Sequence, residues 1–202
     1  MELVNRARDA GATITHVEGE QLERALTTRT PQPIVAVAGL VSWSPAEIVS
    51  GATESGLPVV VLAGVSDPGN AGTVIRSAAA AGAAGVLFTP GSVDPTNPKC
   101  VRSSAGALFA LRVGAVDDLD VLRGLGLTTI GAAAGGASPD EVELSGPIAL
   151  VLGGEAGGLP EGQLVDVEVA LPLEGGVESL NVAMAGSVLL YEARRQRNGG
   201  RW

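Results

Sequence analysis

The chain has 202 residues, 46% hydrophobic and 17% charged, with 22 acidic against 13 basic side chains and a formal net charge of −9. Those proportions exclude a disordered chain and a generally basic nucleic-acid coat, while leaving room for a local basic patch. A single cysteine, Cys100, excludes an internal disulfide; no apolar run has membrane-span length and the N-terminus lacks a secretory core, so the expected localisation is cytoplasmic.

From the N-terminus, ELVNRARDAG predicts a helix, TITHV a strand, EQLERALTT a helix and IVAVAGLV a strand. Residues 42–56, SWSPAEIVSGATESG, are rich in Ser, Gly and Pro and read as a linker carrying one helical turn. The expected division is a small domain over 1–44, a linker over 45–56 and a main domain over 57–202. In the main domain, strands are predicted at 58–65, 85–88, 128–133, 147–152 and 166–171, and helices at 70–81, 98–109, 117–124 and 179–197. PVVVLAGV and PIALVLGG are apolar at every strand position, which a parallel sheet covered by helices on both faces requires. The alternation predicts an α/β fold.

Three glycine-bearing stretches stand out. In DPGNAGTVIRSAAAAG, 67–82, either Asp67 or Asn70 caps a helix, and Arg76 is surrounded by small residues that leave its guanidinium uncrowded. There is no GxGxxG and no GxxxxGK[ST] in it. In IALVLGGEAGGLP, 148–160, a buried strand runs into glycines with Glu155 planted among them, at a strand's carboxyl end, where α/β proteins keep ligands. In 169–197, a strand ends at Leu171–Pro172, a glycine turn follows, and Ser179-Leu180-Asn181 opens a long helix. The ordinary readings are a solvated Arg, a surface Glu in a turn, a helix cap, and a basic tail that compensates a helix dipole.

Together these stretches resemble the three signature motifs of the SpoU (TrmH) family of RNA 2′-O-ribose methyltransferases, within the knotted SPOUT superfamily. The first motif, N-x-G-x-x-x-R, is matched by Asn70, Gly72 and Arg76. The second, a G-N-E-G-x-G-L run, is matched by Gly153, Glu155, Gly158 and Leu159. The third is matched by Leu171-Pro172-Leu173 and then Ser179-Leu180-Asn181, and TNPKCVRSSAGALF, 96–109, resembles the segment between the first two. The resemblance spans about 57–198 in order; Gly154 replaces the usual Asn, and Ala183 a frequent Ser.

The resemblance implies a C-terminal deep trefoil knot, S-adenosylmethionine as cofactor, RNA as substrate with ribosomal RNA favoured over transfer RNA, and a homodimer through the knot region. It implies catalytic roles for Arg76, Glu155, Ser179 and Asn181, and a cofactor pocket of Thr89, Pro90, Gly91, Leu152, Gly153, Gly154, Leu171 and Leu180. Asn70, Lys99, Arg102 and Ser103 are then the RNA contacts, with Arg112 adding to a basic patch. Residues 1–41 resemble the later part of a small RNA-binding domain that precedes the catalytic one in many members, so that domain is expected to be incomplete. Two other readings are a nucleotide-binding protein using NAD, opposed by the missing fingerprint, and an RNA-binding module that kept the fold without catalysis. No His/Cys cluster predicts a metal.

Overall fold

The computed structural model describes residues 2–25, 33–155, 157–159 and 164–201. The chain divides into two units, Met1–Gly39 and Leu40–Trp202. The smaller holds helices α1 (Glu2–Asp9) and α2 (Gly19–Ala25). Its two expected strands are absent: 12–18 and 34–39 join no ladder, and Val17, Ile34, Val35 and Val37 are exposed. β-prone residues form a strand only with a neighbour to pair and a face to bury, and neither exists among the described residues of this unit. Residues 26–28 of the expected second helix lie outside the described residues.

The larger unit is built on seven strands: β1 (Ser42–Trp43), β2 (Val59–Ala63), β3 (Gly85–Phe88), β4 (Arg112–Ala115), β5 (Thr128–Ala137), β6 (Ile148–Gly153) and β7 (Val167–Val169). Their order is β1-β4-β3-β2-β6-β5-β7, and every pair is parallel. Helices α3 (Pro45–Ser55), α4 (Pro68–Ala81), α5 (Pro98–Ser103), α6 (Leu119–Gly124) and α7 (Val182–Arg197) cover it. Side chains alternate across the sheet: Val60, Leu62, Leu150 and Leu152 join a core with α4 and α7, while Val59, Val61, Ala149 and Val151 join a second core with α3 and α6. All of these strand residues are essentially inaccessible, and each buried Val or Leu contributes about 1.5–3 kcal/mol. The doubly covered parallel sheet expected from the apolar runs is therefore present.

Residues 42–56 are not a linker. Ser44 caps α3 in a reciprocal capping box with Glu47, Pro45 opens the helix, and Gly56 ends it in a left-handed turn. Ile48, Val49 and Ala52 are buried beneath it, so three apolar residues on one face outweigh the surrounding Ser and Gly. The helix expected over 98–109 also splits. α5 ends at Ser103, Ala105 and Gly106 take φ of +50° and +88°, and a short 3-10 turn runs from Ala107 to Phe109. β4 was not foreseen: its four residues gain extended structure from pairing with β3 rather than from their own pattern. Among the described residues no helix is long and apolar enough to cross a membrane.

Candidate active site at the carboxyl ends of the strands

Because all strands run one way, the segments after β2, β5, β6 and β7 gather at one edge of the sheet. The first element there is α4. Asp67 is its N-cap, accepting from the Asn70 backbone N–H at 2.9 Å, with Pro68 at the first helical position. That leaves the Asn70 side chain free of capping duty. α4 then packs on α5 so closely that a Cβ on Gly72 would stand 1.9 Å from Ser103 Oγ and 2.5 Å from the Cys100 carbonyl. The glycine of the first motif is a packing requirement between two helices.

The Asn70 side chain joins the three motifs. Its Nδ2 donates to Glu155 Oε1 at 2.7 Å, and its Oδ1 accepts from Asn181 Nδ2 at 3.0 Å. Asn181 meanwhile caps α7, its Oδ1 accepting from the backbone N–H groups of Ala183 and Met184. One asparagine thus fixes the loop after β6 and the start of α7 against α4.

Beside this chain of contacts lies a cavity of about 260 Å³. Its walls are the end of β6 and the residues just after it (Leu152, Gly153, Gly154, Glu155), the middle of β5 (Ala132–Ala134), and the segment from Val169 into α7, including Leu171, Leu173, Glu178, Ser179 and Leu180. Two local features open it. The β5–β7 ladder slips between Ala132 and Ala137, so the intervening residues bulge out of register. The loop after β6 folds back through a Gly154–Gly158 bridge, where a Cβ on Gly153 would meet the Gly158 backbone at 2.2 Å. A Cβ on Gly154 would stand 2.7 Å from the Gly64 carbonyl, so the loop's approach to β2 suits glycine at a position where the family has Asn.

Of the expected site residues, Leu152, Gly153, Gly154, Leu171 and Leu180 line this cavity, as do Glu155 and Ser179. Thr89, Pro90 and Gly91 do not. They form the turn after β3, where Ser92 Oγ accepts from the Gly64 N–H and donates to the Leu62 carbonyl. Arg76 is exposed on α4 and makes no hydrogen bond or ion pair with the described residues. Arg102 is likewise exposed and unpaired among them. Lys99 is engaged: its Nζ lies 2.8 Å from Asp67 Oδ2. That hydrogen bond, followed by the Asn70 N–H, holds the Asp67 carboxyl below the usual carboxylate range. Ser103 faces inward, donating to the carbonyls of Lys99 and Pro68 rather than outward. Arg112 starts β4 at the opposite edge of the sheet, stacked 4.8 Å over the Trp43 ring and donating to the Glu47 carbonyl, which removes it from any patch at this edge.

The basic tail of α7 has a structural use. Arg194 and Arg197 donate to the Ala80 and Ala81 carbonyls at the C-terminus of α4. Sequence reasoning missed Ala132–Ala134 and Glu178 as cavity residues. The small-residue run GAAAGGA was the available signal for the first; nothing local marked the second.

Comparisons with known proteins point to one family. The family model described as the SpoU rRNA Methylase family matches residues 58–191. The 23S rRNA (guanosine-2'-O-)-methyltransferase RlmB of Xanthomonas axonopodis pv. citri is 37% identical over 209 residues, covering 98% of this chain and 84% of that protein. The RlmP 23S rRNA methyltransferase of Bacillus subtilis is 36% identical over 173 residues, 83% of this chain and 66% of its own length. The crystal structure of an AdoMet-bound rRNA methyltransferase from Sinorhizobium meliloti superposes with a TM-score of 0.68 at 32% identity, over 76% of this chain and 61% of that one. The chain thus spans about two thirds of the Bacillus protein and less of the Sinorhizobium one. With a matched segment that contains Asn70, Glu155 and Asn181, and a sheet that brings them together, this chain belongs to the SpoU rRNA methylase family.

Proposed function

We propose that the chain transfers a methyl group from S-adenosylmethionine to a ribose 2′-hydroxyl of RNA, ribosomal RNA in preference to transfer RNA, in the cytoplasm. The observation that carries this is the Asn181–Asn70–Glu155 chain of hydrogen bonds at the rim of the cavity. It locks three distant motifs into one arrangement before any substrate arrives, which is what alignment of two reactants requires.

The cavity's chemistry fits the methyl donor. Its walls are mostly apolar or glycine, suited to a nucleoside whose polar edge bonds to backbone, and among the described residues its charged side chains are carboxylates, suited to a cation. Leu152, Gly153, Gly154, Leu171 and Leu180 would hold it. When bound, the donor would supply a methyl group activated by a sulfonium, and the proton of the ribose hydroxyl would pass to solvent. Arg76 holds the negative charge of the reacting oxygen or of the adjoining phosphate, because a guanidinium stays protonated and is a poor base. Glu155 orients Asn70, Asn181 orients both from the α7 cap, and Ser179 offers its hydroxyl to the cavity. Arg102 and, after exchange of its Asp67 partner, Lys99 contact RNA phosphates; Asn70 borders the ribose.

A trefoil knot and a homodimer belong to the same reading. What supports the knot is the strand order, with β6 inserted between β2 and β5, and the return of 171–181 past the β6 loop before α7 packs on α4. What supports the dimer is an exposed stripe, Met184, Val188 and Tyr191, at helical spacing along α7. The N-terminal unit serves as part of an RNA-binding domain. Incubation with ribosomal RNA and radiolabelled donor, followed by mapping of the modified ribose, tests the function. Labelled 2′-O-methyl nucleotides are expected; RNA binding without label returns the inactive-module reading.

A further inference from the structure

The cavity carries charge of one sign. Glu155 and Glu178 line it, and no Lys, Arg or His does among the described residues. Glu155 is already committed, its Oε1 accepting from Asn70 Nδ2 at 2.7 Å. Glu178 has no such commitment: it makes no hydrogen bond or ion pair with any described residue. Glu178 is exposed to solvent as well as lining the cavity, so no burial cost attends it and its side chain is available to a ligand that brings the opposite charge. Much of the rest of the lining, such as Ala133, Gly153 and Leu171, offers no charged side chain of either sign.

The donor and the product of methyl transfer differ by one charge. The donor's sulfur is a sulfonium; once the methyl has left with its bond to the ribose oxygen, the sulfur is a neutral thioether, and the hydroxyl proton has gone to solvent. A negative cavity therefore distinguishes the two by charge alone, since their shapes differ by one methyl group.

We infer that Glu178 is a specificity-determining residue that makes the cavity hold the cationic methyl donor more tightly than the thioether product. The inference rests on the methyl-transfer reading above. Its consequence is that transfer itself weakens the grip on the cofactor.

The test is calorimetric titration of the full chain with S-adenosylmethionine, S-adenosylhomocysteine and sinefungin, which carries an amine in place of the sulfonium. Glu178→Gln is expected to weaken S-adenosylmethionine and sinefungin at least fivefold while changing S-adenosylhomocysteine less than twofold. Glu174→Gln, an exposed carboxylate in the same segment outside the lining, is expected to change none of them. An equal loss for all three ligands, no loss for any, or the same pattern from Glu174→Gln overturns the role of Glu178 and leaves methyl transfer standing. Failure of the unmodified chain to bind any of the three overturns both.

Discussion

Asn70 and Glu155 lie 85 positions apart in the chain, yet Asn70 Nδ2 donates to Glu155 Oε1 at 2.7 Å. The contact is exposed to solvent, so water takes its place at little cost to stability when one partner is removed, while the alignment it gives the site is lost. Replacing Asn70 by Ala removes this bond and the one from Asn181 together. Methyl transfer to RNA is expected to fall at least tenfold, with a melting temperature within about 3 °C of the parent because no apolar core is lost. A melting point far lower than that would mean the network holds the fold, not the site.

Arg76 has no partner among the described residues, so its removal leaves nothing unsatisfied behind. Arg76→Ala is expected to abolish methyl transfer while donor affinity, measured by calorimetry, stays within twofold. An active Arg76→Ala enzyme sinks the role given to this guanidinium.

Gly72→Ala probes the contact of α4 with α5. The new methyl would collide with Ser103 Oγ and with the backbone carbonyl of Cys100, at 1.9 and 2.5 Å. Overpacking of this kind costs about 1–3 kcal/mol. Thermal denaturation should show a clear loss, and adding Ser103→Ala should restore only part of it, since the carbonyl cannot be trimmed.

The Asp67–Lys99 pair makes a prediction in pH. Lys99 first and the Asn70 N–H second depress the folded-state pKa of Asp67. A depressed carboxylate contributes stability that is present above its unfolded-state pKa, about 3.9, and is lost as pH falls through the lower folded value. Asp67→Asn keeps a capping side chain and drops the charge. Urea denaturation should therefore separate parent and variant by a constant amount from pH 5 to pH 8, as order-of-magnitude limits, and the gap should close as pH falls below about 4. A gap that widens in acid contradicts the assignment.

Cys100 is fully buried, and burial first, then the Asp94 carboxylate, push its thiol up to about 11. Native protein should resist iodoacetamide at pH 8 and react promptly once unfolded in urea. Rapid labelling of the folded chain would mean α5 opens readily.

The amino-acid sequence by itself determined the local elements wherever a pattern of apolar residues outlasted its surroundings. The continuous runs at β2 and β6 announced a sheet covered twice, and the caps and glycines around 67–82 bounded α4. It misjudged α3, whose three buried apolar residues sit among Ser and Gly, and the N-terminal strands, which have no neighbour to pair with. It nominated Asn70, Glu155 and Asn181 separately, through motifs. Only the tertiary structure decided that they touch, that Lys99 is held by Asp67, that Arg112 stands at the far edge, and that the bulge in β5 and Glu178 complete the cavity. The physical reason is one of range. Helix and strand periods repeat within a few residues and can be read in a short window. Contacts across 85 and 111 positions depend on which strands lie side by side, and that order is set by the burial of the whole sheet.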